Sequence, residues 1–167
     1  IEAAADFRAD DIRLSSRGAS FRLTSPAGQV EITTKLLAKY NVYNALAAIA
    51  LCSSLGVDMD TIRRRLADFA GVPGRWERVD IGQPFEVFVD FAHTPAALEK
   101  SLSFLRSQTS GRVLLVFGCP GERDEMKRPI MGEVASMLSE FFVITTDTPH
   151  HEDPQRRDLR DQELEVL

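Results

Sequence analysis

The sequence has no long hydrophobic run and no excess of basic residues. Its longest apolar stretch, Ala45 to Cys52, is far shorter than the roughly 20 residues that cross a bilayer, so no membrane insertion is expected. The net charge of −5 argues against non-specific nucleic-acid binding, because such binding needs basic residues to neutralise phosphates. The two cysteines, Cys52 and Cys119, have no disulfide or zinc spacing. We therefore expect a protein of the reducing cytoplasm.

The first third of the 167 residues alternates between apolar and polar side chains, which predicts a small antiparallel sheet. The three alternating segments are residues 11–18, 19–25 and 29–36. Turn residues separate them, at Arg17-Gly18 and at Ser25 to Gly28. Two helices are expected next, at 43–55 and at 59–69, with Asp58 as the N-cap of the second.

The second half has a different pattern, which begins after the two glycines and the proline of Gly71 to Gly74. This stretch predicts a boundary between domains 1–72 and 73–167 and a hinge between them. Beyond it, continuous apolar runs at 85–91, 112–118 and 141–147 alternate with helical segments at 95–108 and 123–140. Such runs are typical of parallel strands buried on both faces, so we expect a Rossmann-like, doubly wound α/β domain. The charged tail, Gln155 to Leu167, fits a helix or a frayed end.

Polar residues follow each apolar run, where a doubly wound sheet binds its ligands. After the first run, Thr94 and Pro95 suit a helix start, whereas Asp90 and His93 are not needed for it. A carboxylate there can accept hydrogen bonds from a ribose, and an imidazole can pack against a base. A purely structural motif is the alternative.

After the second run, Gly118 to Asp124 combines turn-forming glycines with Arg123. Its planar guanidinium suits a carboxylate or a phosphate, although a solvated surface loop is the simpler interpretation. Cys119 has no base nearby in sequence, which argues against a nucleophile.

After the third run come Asp147, Thr148, Pro149 and His150, followed by a second histidine. A substrate-contacting loop is favoured over a metal site, because adjacent histidines rarely converge on one ion.

Asn41 and Asn44 lie three residues apart near a helix start, where they can share a face. An asparagine amide matches the donor and acceptor edge of adenine, although asparagine is also a common helix cap. Arg75 places a permanent cation just beyond the hinge, and its simpler role is a salt bridge.

Together and in this order, the strings NVYNALAA, GVPGRWE, VDFAHTPAALEK, VFGCPGERDEMKRPIMG and TTDTPHHEDP resemble the Mur ligase family. The resemblance runs from about Tyr40 to Pro154, and the strands before it suit the end of the family's central domain. The AHTP and GxxGxRDxxKRPxMG motifs are most similar to members that add the third residue of the cell-wall peptide. The implied reaction joins a diamino acid to UDP-N-acetylmuramoyl-dipeptide in peptidoglycan synthesis, through an acyl phosphate made with ATP and Mg²⁺.

The resemblance also implies roles for single residues. Those expected to contact ATP are Asn44, Arg75, Asp90 and His93. Those expected to contact the incoming amino acid are Arg123, Asp147, Thr148 and His150. Diaminopimelate-adding members usually carry Asp-Asn-Pro-Arg where this chain has Asp-Thr-Pro-His, so the loss of a fixed cation leaves the choice of amino acid open.

Other parts of the family pattern are absent from the 167 residues. There is no GxxxxGK[ST] phosphate loop, and neither the lysine that the family carbamylates nor its UDP-sugar domain is found. We therefore expect a fragment of a ligase that is inactive alone and holds no metal or catalytic residue of its own. The alternatives are another amide ligase of this fold, such as folylpolyglutamate or cyanophycin synthetase, or a non-catalytic binding module.

Overall fold

A computed structural model describes residues 5–153, and the chain divides into two compact units, Ile1–Phe91 and Ala92–Leu167. The predicted boundary at 72/73 falls inside the first of these units and stays a prediction about domains. The charged tail from Gln155 onward lies outside the described residues. No helix within residues 5–153 is long and apolar enough to span a membrane.

The first unit begins with the predicted antiparallel sheet. It consists of β1 (Arg8–Ser15), β2 (Gly18–Ser25) and β3 (Gly28–Thr34), paired in that order. The alternation seen in the sequence places one set of side chains inward, and Phe21, Leu23 and Ile32 are fully buried. This sheet is confirmed, with turns at the predicted positions.

Two helices, α1 (Lys39–Ser54) and α2 (Met59–Asp68), complete the core of the first unit. Helix α1 contributes a stripe at the spacing of one helix face, made of Val42, Ala45, Leu46 and Ile49. Asp58 caps α2 as predicted, accepting a hydrogen bond from the Thr61 amide. The predicted start of α1 at residue 43 was wrong. The helix begins one turn earlier, at Lys39.

The first unit ends in a short hairpin of β4 (Glu77–Val79) and β5 (Val87–Val89). These strands are antiparallel, whereas the apolar run at 85–91 had predicted a parallel strand. The two strands pair locally through the connecting segment 80–86. Trp76 packs edge-on against Phe88 with ring centroids 5.4 Å apart.

The second unit follows the predicted order of helix and strand. It contains α3 (Pro95–Gln108), β6 (Leu114–Phe117), α4 (Lys127–Leu138) and β7 (Phe141–Ile144). The bounds of α3 are those predicted, and Thr94 caps it through the Ala97 amide. Strands β6 and β7 are parallel, as expected for strands joined by a helix. Helix α4 begins four residues later than the predicted start at 123.

One expectation about the second unit was wrong for the residues described. Strands β6 and β7 are not buried on both faces, because their residues alternate between partly buried and exposed. The apolar side chains on the exposed face are those of Leu114, Val116, Phe141 and Val143. The core of this unit lies on the other face, where Leu98, Leu102 and Met131 from α3 and α4 are buried.

Candidate functional site

Two loops leave the carboxyl ends of the parallel strands β6 and β7. We call residues 118–126 the β6 loop and residues 145–153 the β7 loop. They carry the residues that the resemblance assigns to the incoming amino acid, with Arg123 on the β6 loop and Asp147, Thr148 and His150 on the β7 loop. The structure therefore brings both parts of the predicted amino-acid site to one edge of one sheet.

Two glycines allow these loops to approach closely. A Cβ atom at Gly118 would lie 2.3 Å from the carbonyl oxygen of Thr145, and one at Gly121 would lie 2.2 Å from that of Pro149. Both distances are far below contact, so any larger residue would push the loops apart. The sequence suggested that these glycines serve a tight turn, but neither has the positive φ of a turn glycine. Their role is the close approach.

The gap between the loops is bridged by backbone and side-chain hydrogen bonds. The Gly121 amide donates to the Thr148 carbonyl oxygen over 2.8 Å, and the Glu122 amide donates to Oε1 of Glu152 over 2.5 Å. Nη2 of Arg128 donates to both carboxylate oxygens of Glu152, at 2.8 and 3.1 Å. The relative position of the two loops is thus set by several polar contacts.

The predicted substrate residues themselves are exposed and hold few internal contacts. Within residues 5–153, Arg123 forms no hydrogen bond or ion pair, so its guanidinium is available to an anion. Oδ1 of Asp147 accepts from the amide of Thr148 at 2.6 Å and from its hydroxyl at 3.2 Å. His150 has a φ of 52°, a left-handed conformation that is uncommon for residues other than glycine. Such backbone conformations concentrate at functional sites.

The Ala-His-Thr-Pro segment is tied to α4 by a buried lysine. Nζ of Lys127 donates to the carbonyl oxygen of His93 over 2.9 Å, while the His93 side chain is exposed. The backbone of this segment is therefore fixed from the same helix that carries Arg128. Cys119 is buried, with its Sγ 3.8 Å from Sδ of Met131, which places the thiol in the core of the second unit.

In the first unit, the asparagine pair lies on one face of α1 as predicted. Nδ2 of Asn44 donates to Oδ1 of Asn41 over 2.9 Å, and Nδ2 of Asn41 donates to the Leu37 carbonyl oxygen over 2.7 Å. The alternative of a helix-cap role was wrong, because the N-cap of α1 is Ala38. Asn44 is exposed and points no hydrogen-bonding group at a helix terminus.

Arg75 follows a tight turn closed by a bridge between Val72 and Arg75. Its guanidinium carbon lies 4.2 Å from the ring centroid of Phe91, a cation–π contact that leaves the edge of the fork available to an anion. This contact replaces the salt bridge that was the simpler expectation. Asp90 directly follows β5 in the first unit and is partly buried, whereas His93 belongs to the second unit.

The sequence did not reveal the ion pair between Arg128 and Glu152. The structure buries both Lys127 and Arg128, although lysine and arginine are mostly exposed in proteins. The only sequence signal for the pair is the opposite charge of two short clusters, which neither helix periodicity nor strand alternation can link. The sequence motifs supplied candidate residues one motif at a time, and the pair that connects two motifs was missed.

The chain belongs to the Mur ligase family. Residues 74–162 match the family's glutamate ligase domain, and residues 1–52 match its middle domain.

Several relatives are similar in sequence to nearly the whole of this chain. A UDP-N-acetylmuramoyl-L-alanyl-D-glutamate–2,6-diaminopimelate ligase of Geobacillus kaustophilus is 45% identical over 96% of this chain and 33% of its own length. A UDP-N-acetylmuramyl-tripeptide synthetase of a Roseiflexus species is 42% identical over 92% of this chain and 30% of its own length. A solved structure of a diaminopimelate ligase has a TM-score of 0.66, with 32% identity over 99% of this chain and 34% of that chain. The chain thus spans about a third of the length of these relatives.

Proposed function

We propose that this chain provides the amino-acid site and part of the ATP site of a ligase that extends UDP-N-acetylmuramoyl-dipeptide by one diamino acid in the cytoplasm. The observation that carries the proposal is the joining of the β6 and β7 loops, which collects Arg123 and the segment 147–150 at one edge of the sheet. The names of the relatives supply the reaction class.

In the proposed reaction, the γ-phosphoryl group of ATP passes to a carboxylate of the peptide substrate, giving an acyl phosphate and ADP. The amine of the incoming amino acid then attacks the acyl carbon, a proton leaves the nitrogen, and phosphate departs. Such chemistry depends on positioning and charge stabilisation more than on a protein nucleophile. No nucleophilic residue is therefore required from this chain.

For the nucleotide, we assign Asn44 to adenine, Arg75 to a phosphate and Asp90 to the ribose, with His93 close to the nucleotide. The exposed amide of Asn44 has a second Nδ2 hydrogen and its Oδ1 for a base, besides the bond to Asn41. Arg75 is held against Phe91, which limits the conformational freedom that phosphate binding would otherwise remove.

Mg²⁺ would offset phosphate charge in this reaction. Among residues 5–153, no group of three or more histidine, cysteine, aspartate or glutamate side chains has the geometry to hold a metal ion. We assign no metal ligand to residues 5–153. Mg²⁺ is commonly held by one or two carboxylates together with the phosphates of the nucleotide, which needs no such group.

The incoming amino acid is assigned as a diamino acid whose far end meets Arg123 and the β7 loop. Arg123 offers the charge-assisted bonds that suit a carboxylate. His150 stands where diaminopimelate-adding members usually carry arginine, so the fixed cation of those members is missing at this position. We expect the far-end carboxylate of diaminopimelate to be bound through Arg123, with a smaller contribution from His150.

The test is phosphate release by the protein encoded in the full reading frame that contains this chain. The assay supplies ATP, Mg²⁺ and UDP-N-acetylmuramoyl-dipeptide, and offers diaminopimelate, lysine and ornithine in turn. Stimulation by one of them supports the proposal. Activity with a folate and glutamate instead would favour a folylpolyglutamate-type ligase. No phosphate release with any acceptor, from a protein that also fails to bind ATP, would favour a binding module.

A pair of variants sharpens this test. Arg123→Ala should raise KM for the stimulating amino acid roughly 10- to 100-fold, because a hydrogen bond to a charged group contributes about 1.5–3 kcal/mol. Arg112→Ala is the matched control, since Arg112 is an exposed arginine of the same unit that lies outside both loops. Equal KM values for the two variants would remove Arg123 from the site.

A further inference from the structure

The pair formed by Arg128 and Glu152 is expensive for a structure to maintain. The Arg128 side chain is 3% exposed and that of Glu152 is 21% exposed. Burial of charged groups carries a desolvation cost of several kcal/mol per ion, which their attraction often only balances. Arg128 also lies in the first turn of α4, where the helix dipole disfavours a cation. Net stability is therefore a weak explanation for this pair.

Geometry is a better explanation, because Glu152 connects three segments. Its carboxylate accepts from Arg128 on α4 and from the Glu122 amide on the β6 loop, while Glu152 itself belongs to the β7 loop. The Glu152 amide donates in turn to the Pro149 carbonyl oxygen over 3.1 Å, which closes the turn that contains His150. A single carboxylate thus fixes the β7 loop to a helix and to the β6 loop.

The backbone on both sides of this connection is strained. Glu122 has a φ of 51° and His150 a φ of 52°, and each such non-glycine residue costs of order 1 kcal/mol or more. Strained residues persist only when the surrounding contacts determine their conformation. The contacts that do so here are the Glu152 carboxylate, the hydrogen bond from Gly121 to Thr148, and one from the His151 amide to Oε1 of Glu122 at 3.3 Å.

We propose that Arg128 and Glu152 are positioning residues that lock the β7 loop to the β6 loop and so fix the separation of Arg123 and His150. Neither residue of the pair needs to touch substrate. The proposal rests on the function proposed above, because fixing the separation of Arg123 and His150 matters only if both residues bind the incoming amino acid. Without the lock, Arg123 and His150 would remain present, but the two loops would sample a range of separations.

The first measurement is kinetic and uses the protein encoded in the full reading frame. Glu152→Gln keeps the shape of the side chain and removes its charge, and it should raise KM for the amino acid about tenfold while KM for ATP changes less than about twofold. Glu133→Gln is the matched control, because it makes the same change at an exposed position of α4. Glu152→Asp retains the charge on a shorter stem and should give an intermediate KM.

A double variant tests whether the two residues act as a unit. Arg128→Gln combined with Glu152→Gln should raise KM for the amino acid no more than the worse single variant does, since the lock is already open. Additive effects would overturn the proposal. So would an unchanged amino-acid KM in Glu152→Gln, or a failure of both Glu152 variants to fold, because the pair would then be a stability element.

The second measurement is independent of activity and uses this 167-residue chain. Glu152→Gln should speed hydrogen exchange at the Gly121 and Glu122 amides, which donate across the loops, whereas Glu133→Gln should not. Unchanged exchange would overturn the lock. If the wild-type protein turned over no amino acid while exchange responded as expected, the proposed function would fail and the lock would stand as a structural finding.

Discussion

The two units of this chain hold their strands in different ways. In the first unit, three antiparallel strands bury one face against α1 and α2, with Phe21, Leu23 and Ile32 fully enclosed. In the second unit, β6 and β7 bury one face against α3 and α4 but leave an equally apolar face exposed. Strand alternation therefore identified the buried face only where polar residues occupied the other one. In the second unit, the site depends on polar contacts between loops more than on a closed core.

The largest expected effect compares the same side chain in the two sheets. Leu23 is 0% exposed in β2 and Leu114 is 61% exposed in β6. Leu23→Ala should lower the free energy of unfolding of its unit by about 2–5 kcal/mol, because it leaves a cavity in a closed core. Leu114→Ala should cost less than about 0.5 kcal/mol. Native-state hydrogen exchange measures the opening free energy of each unit separately.

The two leucines serve as controls for each other. A loss for Leu114→Ala as large as that for Leu23→Ala would mean that the exposed face of β6 and β7 is covered in solution. The two units would then differ in what covers their sheets, and not in how many faces of each sheet are buried.

A smaller effect is expected from closing the space between the loops. Gly121→Ala would place Cβ 2.2 Å from the Pro149 carbonyl oxygen, and overpacking of this kind typically costs 1–3 kcal/mol. We expect a destabilised second unit and a raised KM for the amino acid. Gly111→Ala is the control, because its Cβ would meet only the hydroxyl of Thr109, at 3.2 Å. Equal unfolding free energies for the two variants would show that the loops separate easily.

Much of the fold followed from local sequence signals. The alternation in β1 to β3, the Asp58 cap and the Thr94-Pro95 helix start were each predicted correctly, because each depends on neighbouring residues. Errors arose where the partner of a strand decides the outcome, because the residues of the strand itself do not show that partner. The antiparallel pairing of β5 with β4 is one case, and the exposed face of β6 and β7 is another.

The candidate site divides in the same way. Arg123 and the segment 147–150 were predicted from motifs that follow two separate strands, and parallel pairing of those strands brings them to one edge. The lock between Arg128 and Glu152 was not predicted, because the two residues lie 24 positions apart and each resembles an ordinary surface charge. Burial, which only tertiary structure shows, distinguishes them from their neighbours.

The smallest expected effect is a pH dependence at the opposite end of β6. The Val113 amide donates to Oε2 of Glu140 over 2.6 Å, and Arg106 pairs with the same carboxylate. The Val113 hydrogen bond, followed by Arg106, lowers the pKa of Glu140 below its ordinary value. The unfolded chain therefore takes up this proton first as the pH falls. The stability that Glu140 provides is complete above the carboxyl's ordinary range and is lost as the pH falls through the lowered pKa.

Glu140→Gln should therefore be less stable than the wild type near neutral pH, and the difference should shrink below a pH of about 4. Urea unfolding at a series of pH values measures the stability difference between Glu140→Gln and the wild type. Glu133→Gln is the control, because it makes the same change of charge at an exposed position of α4. Because Glu140 is at the surface, solvent screening keeps the effect small. A difference that grew on acidification would mean that the carboxylate opposes folding. The start of β6 would then be held by Arg106 and the packing of α3, and not by the hydrogen bond to Val113.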